Sequence, residues 1–91
     1  MKSVRVRISG RVQGVWYRAW TEQRATALGL TGWVRNRRDG DVEALFSGAS
    51  ETVEAMIGEC WNGPPSARVD AVATEPDSPP QSSGFHILPR E

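Results

Sequence analysis

Residues 10–18, Gly-Arg-Val-Gln-Gly-Val-Trp-Tyr-Arg, connect two segments with different hydropathy periods. Before them, Val4, Val6 and Ile8 alternate with polar residues, the period-two pattern of a strand with one buried face. After them, apolar residues recur at helical spacing through Leu28. A glycine-containing connection from a strand into a helix lets backbone N–H groups converge on one oxyanion, beside the free N–H groups that open the helix. The sequence therefore predicts an anion-binding site at this connection.

Arg18 is the side chain of this connection with the clearest chemistry. It falls in the first turn of the predicted helix, where the helix macrodipole disfavours a cation. If Arg18 were only a surface residue, nothing in the electrostatics would favour an arginine at this position. A bound phosphate would favour it, because the planar guanidinium can donate hydrogen bonds to two phosphate oxygens. Gly10 and Gly14 permit backbone angles that a β-carbon forbids. The predicted phosphate-binding set, the anion cradle, comprises Gln13, Gly14, Val15, Trp16, Tyr17 and Arg18.

Hydropathy and turn signals along the rest of the chain predict five strands and two helices. Their order, β-α-β-β-α-β with a short terminal strand added, indicates an α+β ferredoxin-like sandwich with two helices on one face of an antiparallel sheet. The predicted strands are Ser3–Ser9, Thr31–Arg37, Asp41–Phe46, Ala67–Thr74 and Phe85–Leu88, and the predicted helices run from Arg18 to Leu28 and from Ser50 to Trp61.

The ends of these elements carry their own signals. Gly29 stands where a left-handed cap is expected to end the first helix. The start of that helix has no Ser, Thr, Asp or Asn cap, and a bound anion would supply the acceptor that its first N–H groups lack. Ser50 is the predicted N-cap of the second helix, and Asp39-Gly40 predicts a tight hairpin. The four tryptophans are interpreted as core or half-buried packing, and His86 as an exposed or edge residue. The second helix has one apolar stripe for the core, formed by Val53, Met56, Ile57, Cys60 and Trp61.

Composition limits the class of protein. A chain of 91 residues has room for one domain, here residues 1–91, and no stretch approaches the length of a membrane span. The single cysteine, Cys60, cannot form an internal disulfide, so a cytoplasmic location is expected. Residues 1–40 carry an excess of seven positive charges and residues 41–91 an equal negative excess. Two interpretations of the positive half stay open, a field that attracts anions and a solvated edge that suppresses aggregation.

Asn36 is the second candidate for chemistry. Asparagine is depleted in strands, yet Asn36 lies within the predicted strand Thr31–Arg37. One interpretation is that the strand ends early and turns into the hairpin. The other is that the side-chain amide holds a water molecule near the phosphate. Gln13 likewise has two interpretations, as part of the anion cradle or only as a brace for the loop.

The motifs that carry these residues resemble those of the acylphosphatase family. Residues 10–18 match every fixed position of its first signature, G-x-V-Q-G-V-x-[FY]-R, and residues 32–43 match its second, G-[FYW]-V-x-N-x-x-x-G-x-V-E. The Gly63–Val69 segment is similar to the family's exit from its second helix. The resemblance implies hydrolysis of acyl phosphates, with Arg18 and Asn36 as catalytic residues, Asn36 orienting the attacking water, and inorganic phosphate as product and inhibitor.

The residues that other classes of phosphate-binding or phosphate-hydrolysing site require are missing from this sequence. No Gly-Lys-Ser/Thr ends the loop, so it is not a nucleotide-binding P-loop. No cluster has metal-site spacing, and Ser66 stands where a cysteine phosphatase with Cys60 as its nucleophile needs an arginine. We therefore expect neither metal nor cofactor. An acyl phosphate suits such a site because its carboxylate leaves without being protonated.

The main alternative is a non-catalytic module that binds or senses an anionic metabolite on the same fold. RNA binding is disfavoured because the central strands lack aromatic residues for stacking, apart from Phe46. A module of a larger carbamoyl-transfer enzyme is disfavoured by the positions of the first and last residues. The expected partner is thus a small acyl phosphate, with no nucleic acid and no membrane, bound by a monomer.

Overall fold

The computed structural model describes all of residues 1–91 and contains the predicted two helices and five strands in the predicted order. Most bounds lie within two residues of those expected from hydropathy. The elements are β1 (Lys2–Arg11), α1 (Tyr17–Ala27), β2 (Thr31–Asn36), β3 (Val42–Gly48), α2 (Ser50–Cys60), β4 (Arg68–Pro76) and β5 (Phe85–Ile87). The ferredoxin-like α+β fold is therefore confirmed.

The sheet has the strand order β4-β1-β3-β2-β5. The first four strands pair antiparallel, as expected, but β5 runs parallel to β2, with Phe85 opposite Gly32 and Ile87 opposite Val34. The reason is the path of the chain. Because β4 ends at the edge opposite β5, residues 77–84 must cross four strand spacings, roughly 19 Å, and they do so around one end of the sheet. The chain then enters β5 at that same end, which makes β5 parallel to β2.

The core lies between the helices and one face of the sheet. Val4, Val6 and Ile8 are buried on β1, which confirms the alternation. Tyr17, Thr21 and Ala25 form the buried face of α1. On α2 the buried residues are Val53, Met56 and Cys60, with Ile57 packed against them.

Two tryptophans depart from the expected packing. Trp61 is 51% exposed because α2 ends at Cys60, so Trp61 lies beyond the last turn of the apolar stripe. Trp16 is 80% exposed. Trp20 and Trp33 are half-buried, as expected. No helix of this chain is long and apolar enough to cross a bilayer.

The prediction that Ser50 caps α2 was wrong. Ser50 is already the first helical residue, and Ala49 occupies the N-cap position without a side-chain hydrogen bond. The helix begins one residue early because the carbonyl of Ala49 accepts from the N–H of Val53 (2.9 Å). Glu51 lies in the first turn, where the macrodipole favours it. Gly29 has a φ of 74°, which confirms the left-handed end of α1.

One buried contact fixes the start of α1 against the end of α2. The Tyr17 hydroxyl donates a 2.6 Å hydrogen bond to the main-chain carbonyl of Cys60. Gly63 has a φ of 64°, and a β-carbon there would lie 2.6 Å from the Tyr17 ring. A glycine after α2 is therefore needed for both its conformation and the close approach of Tyr17.

Candidate active site

The main chain of the anion cradle alternates in handedness. Gly14 (φ 74°) and Trp16 (φ 69°, ψ 20°) are left-handed, while Val15 between them is not. Trp16 is the only non-glycine residue of the chain with positive φ. Alternation of this kind turns successive N–H groups toward one concavity, which is the geometry of an anion-binding nest.

The N–H groups of this segment have no acceptor within the protein. None of the backbone hydrogen bonds is donated by residues 13–16, and no side chain caps the start of α1. The first helical bond runs from the Trp20 N–H to the Trp16 carbonyl (3.0 Å), so the N–H groups of residues 17–19 precede the helical ladder. Such groups need acceptors, and together they form a site for a phosphate-sized anion.

The side chains of the cradle alternate between the core and the solvent. Val15 and Tyr17 are buried in the core, so these two residues can offer an anion only their main chain. Trp16 and Arg18 point away from the core, and Arg18 takes part in no ion pair. The one cationic side chain of the cradle is thus available to a ligand.

Gln13 connects the cradle to the turn between β2 and β3. Its side-chain Nε2 donates to the carbonyls of Arg37 (2.8 Å) and Asp41 (2.9 Å). This geometry agrees with the interpretation of Gln13 as a brace, while its main-chain N–H stays available with those of its neighbours.

The turn itself was correctly located by its Asp-Gly pair. It spans Arg37 to Gly40, whose N–H donates to the Arg37 carbonyl (3.2 Å). The carboxylate of Asp39 accepts from the Asp41 N–H (3.0 Å) and lies against the guanidinium groups of Arg37 and Arg7. These contacts lower the pKa of Asp39 below its ordinary value. The turn that Gln13 contacts is therefore tied together by hydrogen bonds and by ion pairs.

Asn36 is the last residue of β2, and its side chain is unusual in being unpaired. The Oδ1 atom is buried and accepts no hydrogen bond from the protein. A buried polar atom without a partner is rare and commonly marks a functional site. Its main chain, in contrast, is held, because the Asn36 carbonyl accepts from the Glu91 N–H (3.1 Å). Glu91 also pairs with Arg37 (3.2 Å).

Arg18 and Asn36 meet in one cleft of about 410 Å³. Gln13 and Val15 are not part of its surface, which is lined by Val12, Gly14, Trp16, Tyr17, Arg18, Ala19, Asn36 and Ile87. Sequence reasoning did not assign Val12, Ala19 or Ile87 to the site. For Ile87 no local signal exists, because only the parallel pairing of β5 with β2 brings it there.

Positive charge on the open face of the sheet is largely compensated. Arg5 pairs with Glu75, Arg7 with Asp41 (2.6 Å), and Arg35 with Glu43 (2.9 Å). Arg7 and Glu75 are exposed, Arg5, Asp41 and Arg35 are partly buried, and Glu43 is buried, so only part of this face is a solvated one. Arg18, in contrast, has no acidic partner, so its charge is available to a ligand in the cleft.

Cys60 lies outside this cleft and is fully buried. Burial raises the pKa of its thiol to about 12, so the thiolate that a nucleophilic mechanism requires is not formed near neutral pH. No group of three or more His, Cys, Asp or Glu side chains is arranged to hold a metal ion.

Comparison with known proteins agrees with these features. A family model described as Acylphosphatase matches residues 4–87. The acylphosphatase of Rhodospirillum rubrum is 58% identical over 89 residues, which cover 98% of each chain. Among solved structures, an acylphosphatase from Coxiella burnetii has a TM-score of 0.91 at 36% identity, over 96% of this chain and 92% of that one. The acylphosphatase from Bacillus subtilis has a TM-score of 0.90 at 31% identity, over 97% of this chain and 99% of that one. The chain therefore belongs to the acylphosphatase family.

Proposed function

We propose that this protein hydrolyses acyl phosphates to a carboxylate and inorganic phosphate, using the anion cradle, Arg18 and a water molecule oriented by Asn36. The observation that carries the proposal is the shared cleft. Its lining brings the free guanidinium of Arg18 and the side chain of Asn36 together with the main chain of Gly14, Trp16 and Tyr17, whose N–H groups have no acceptor within the protein. Each of these groups lacks a partner that a bound phosphate or water would supply.

The phosphoryl oxygens of the substrate lie against the N–H groups of residues 13–18 and against the guanidinium of Arg18. These donors stabilise the negative charge that spreads over the oxygens in the transition state. Because the donors are fixed by the backbone before the substrate arrives, little reorganisation is needed during the reaction. Arg18 accordingly acts as a charge-stabilising catalytic residue.

Asn36 positions the nucleophile. Its side-chain amide forms a hydrogen bond with the water, which attacks phosphorus as the bond between phosphorus and the acyl oxygen breaks. The carboxylate leaves with the bonding electron pair, and the proton of the water passes to a phosphoryl oxygen of the substrate. No separate general base is needed, since a carboxylate is a good leaving group with a pKa of about 4.

The remaining features of the proposal concern the protein as a whole. We expect residues 1–91 to act as a single domain and a monomer in the cytoplasm, without metal or cofactor, and with inorganic phosphate as an inhibitor. The lone buried thiol of Cys60 is compatible with a reducing compartment. Inhibition follows from the site itself, since the product retains the group that the cradle binds.

The test is hydrolysis of benzoyl phosphate by the purified protein in the presence of a chelator, with wild type compared with Arg18→Gln. We expect turnover that survives the chelator, is inhibited by inorganic phosphate, and falls on the order of a thousandfold in the variant. Arg24→Gln is the matched control, because Arg24 lies on the same helix but pairs with Glu59 outside the cleft (2.7 Å).

Two results would refute the proposal. Arg18→Gln with near wild-type turnover would exclude the mechanism. A folded wild type that binds phosphate without hydrolysing benzoyl phosphate would favour the alternative, a module that binds an anionic metabolite.

A further inference from the structure

The most exposed aromatic side chain of the protein lies beside its anion site. Trp16 is 80% exposed, although its main-chain N–H belongs to the cradle. Its left-handed backbone (φ 69°) is costly for a residue with a β-carbon, and such strain is concentrated at functional sites. A large apolar side chain held in this way at the mouth of a cleft is typical of a ligand contact.

Ile87 provides a second exposed apolar side chain in the same cleft. It is 40% exposed and lies on β5 opposite Val34. Because strand side chains alternate between faces, Val34 and Asn36 share one face of β2. The pairing therefore places Ile87 close to Asn36, and both line the cleft with Trp16.

The polar groups of the cleft are already engaged by the reacting part of the substrate. Arg18 and Asn36 are the only lining residues with polar side chains apart from Tyr17, whose hydroxyl donates a hydrogen bond to the main-chain carbonyl of Cys60. The other side chains that line the cleft are apolar. No polar group is left to recognise the acyl half, so apolar contact is what distinguishes one acyl group from another.

We propose that Trp16 and Ile87 bind the acyl group of the substrate and give the enzyme a preference for acyl phosphates with an aromatic or long aliphatic acyl group over small ones. This inference rests on the function proposed above. In it, Trp16 serves both halves of the substrate, its N–H facing the phosphoryl oxygens and its indole ring facing the acyl group. An aromatic acyl group stacks on the indole, whereas an acetyl group is too small to cover both side chains.

The test is the ratio of kcat/KM for benzoyl phosphate to kcat/KM for acetyl phosphate, in wild type and variants. Trp16→Asn removes the ring but keeps a residue that tolerates the left-handed backbone. Trp16→Phe keeps an aromatic ring, and Ile87→Thr keeps β-branching on the strand. Trp61→Asn is the matched control, since Trp61 is also exposed but lies outside the cleft.

We expect the ratio to fall about tenfold in Trp16→Asn, the effect of losing roughly 55 Å² of apolar contact, and about threefold in Ile87→Thr. The loss is expected in KM for benzoyl phosphate, because contacts with the unreacting part of a substrate are similar in the ground and transition states. Trp16→Phe is expected to retain most of the wild-type ratio of the two kcat/KM values, and Trp61→Asn to leave this ratio unchanged.

Other outcomes overturn the inference and are distinguishable from failure of the proposed function. An unchanged ratio in both Trp16→Asn and Ile87→Thr, with hydrolysis still dependent on Arg18, would reject the acyl-group site and keep the function. An equal loss for both substrates together with weaker inhibition by phosphate would assign Trp16 to the cradle alone. Absence of hydrolysis by folded wild type would reject both.

Discussion

The side-chain Nε2 of Gln13 lies 2.8 Å from the main-chain carbonyl oxygen of Arg37 and donates a hydrogen bond to it. The same nitrogen donates to the Asp41 carbonyl at 2.9 Å. The Gln13 side chain thereby forms hydrogen bonds with both ends of the turn that follows Asn36. Gln13 therefore connects the cradle to the turn that directly follows Asn36, although its side chain does not line the cleft.

Replacing Gln13 by Glu tests this connection. A carboxylate has the same shape but cannot donate, and it would face two carbonyl oxygens. We expect the free energy of unfolding to fall by about 1 to 2 kcal/mol and kcat for benzoyl phosphate to fall about tenfold, as Asn36 loses its position relative to the cradle. Denaturant unfolding and steady-state kinetics measure the two effects.

Gln23→Glu is the control for this change, because Gln23 is an exposed glutamine on α1. It should alter neither quantity appreciably. If Gln13→Glu destabilises the protein but leaves kcat intact, the two hydrogen bonds from the Gln13 side chain stabilise the fold without positioning Asn36.

Asn36→Ala should separate activity from stability. If Asn36 orients the water as proposed, removing its amide is expected to lower kcat about a hundredfold, with inhibition by inorganic phosphate nearly unchanged because the cradle N–H groups remain. The free energy of unfolding should not fall, since the variant also removes a buried Oδ1 that has no partner within the protein. Kinetics with phosphate as competitor and urea unfolding report these quantities.

Asn62→Ala, in the exposed turn after α2, is the matched control for Asn36→Ala. Weaker phosphate inhibition in Asn36→Ala would instead mean that Asn36 belongs to the phosphate-binding set.

Two glycines should differ in how much they tolerate a β-carbon. At Gly14 (φ 74°) an added β-carbon meets nothing within 4 Å, so Gly14→Ala has only the conformational cost of a left-handed alanine, about 1 to 2 kcal/mol. At Gly32 (φ 138°) it would lie 1.8 Å from the Leu45 carbonyl oxygen, on the neighbouring strand. We expect Gly32→Ala to prevent folding or to destabilise the protein far more than Gly14→Ala in urea unfolding. Similar losses for the two variants would contradict this account of β2.

The buried thiol of Cys60 predicts a loss of stability at alkaline pH. Burial raises its folded-state pKa to about 12, whereas in the unfolded chain it is about 8.5. The stabilising contribution is complete below pH 8.5 and declines above it by up to about 1.4 kcal/mol per pH unit, because only the unfolded state loses the proton.

The thiol contribution is isolated by comparison with Cys60→Ala. Between pH 7 and pH 10, the difference in unfolding free energy between wild type and this variant should shrink by about 2 kcal/mol. The measurement is urea unfolding under reducing conditions at several pH values. A constant difference over this range would mean that the Cys60 thiol is accessible to solvent in the folded state.

Much of the fold was predictable because it depends on local periodicity. The alternation of Val4, Val6 and Ile8 and the helical spacing of Val53, Met56 and Cys60 correctly identified buried faces. The errors concern features that depend on the environment of a single residue, such as a helix cap or the exposure of one side chain. Ser50 resembles an N-cap in sequence, but whether a side chain caps a helix depends on the residue at which the helix begins, and α2 begins at Ser50 itself. The exposure of Trp16 and Trp61 likewise depends on what packs against them.

The sequence by itself determined the strand-to-helix connection, the order of the elements and the candidate residues Arg18 and Asn36. The connection and the order of the elements follow from spacing and from the conformational freedom of glycine. The two candidate residues follow from side-chain chemistry together with the motifs that resemble those of the acylphosphatases, and all of these are properties of short segments. Only the tertiary structure decided that Asn36 keeps an unpartnered oxygen, that Gln13 bridges to the Arg37 turn, and that Ile87 enters the cleft. Each of these depends on contacts between segments far apart in the chain, and the direction in which β5 pairs with β2 cannot be read from either strand alone.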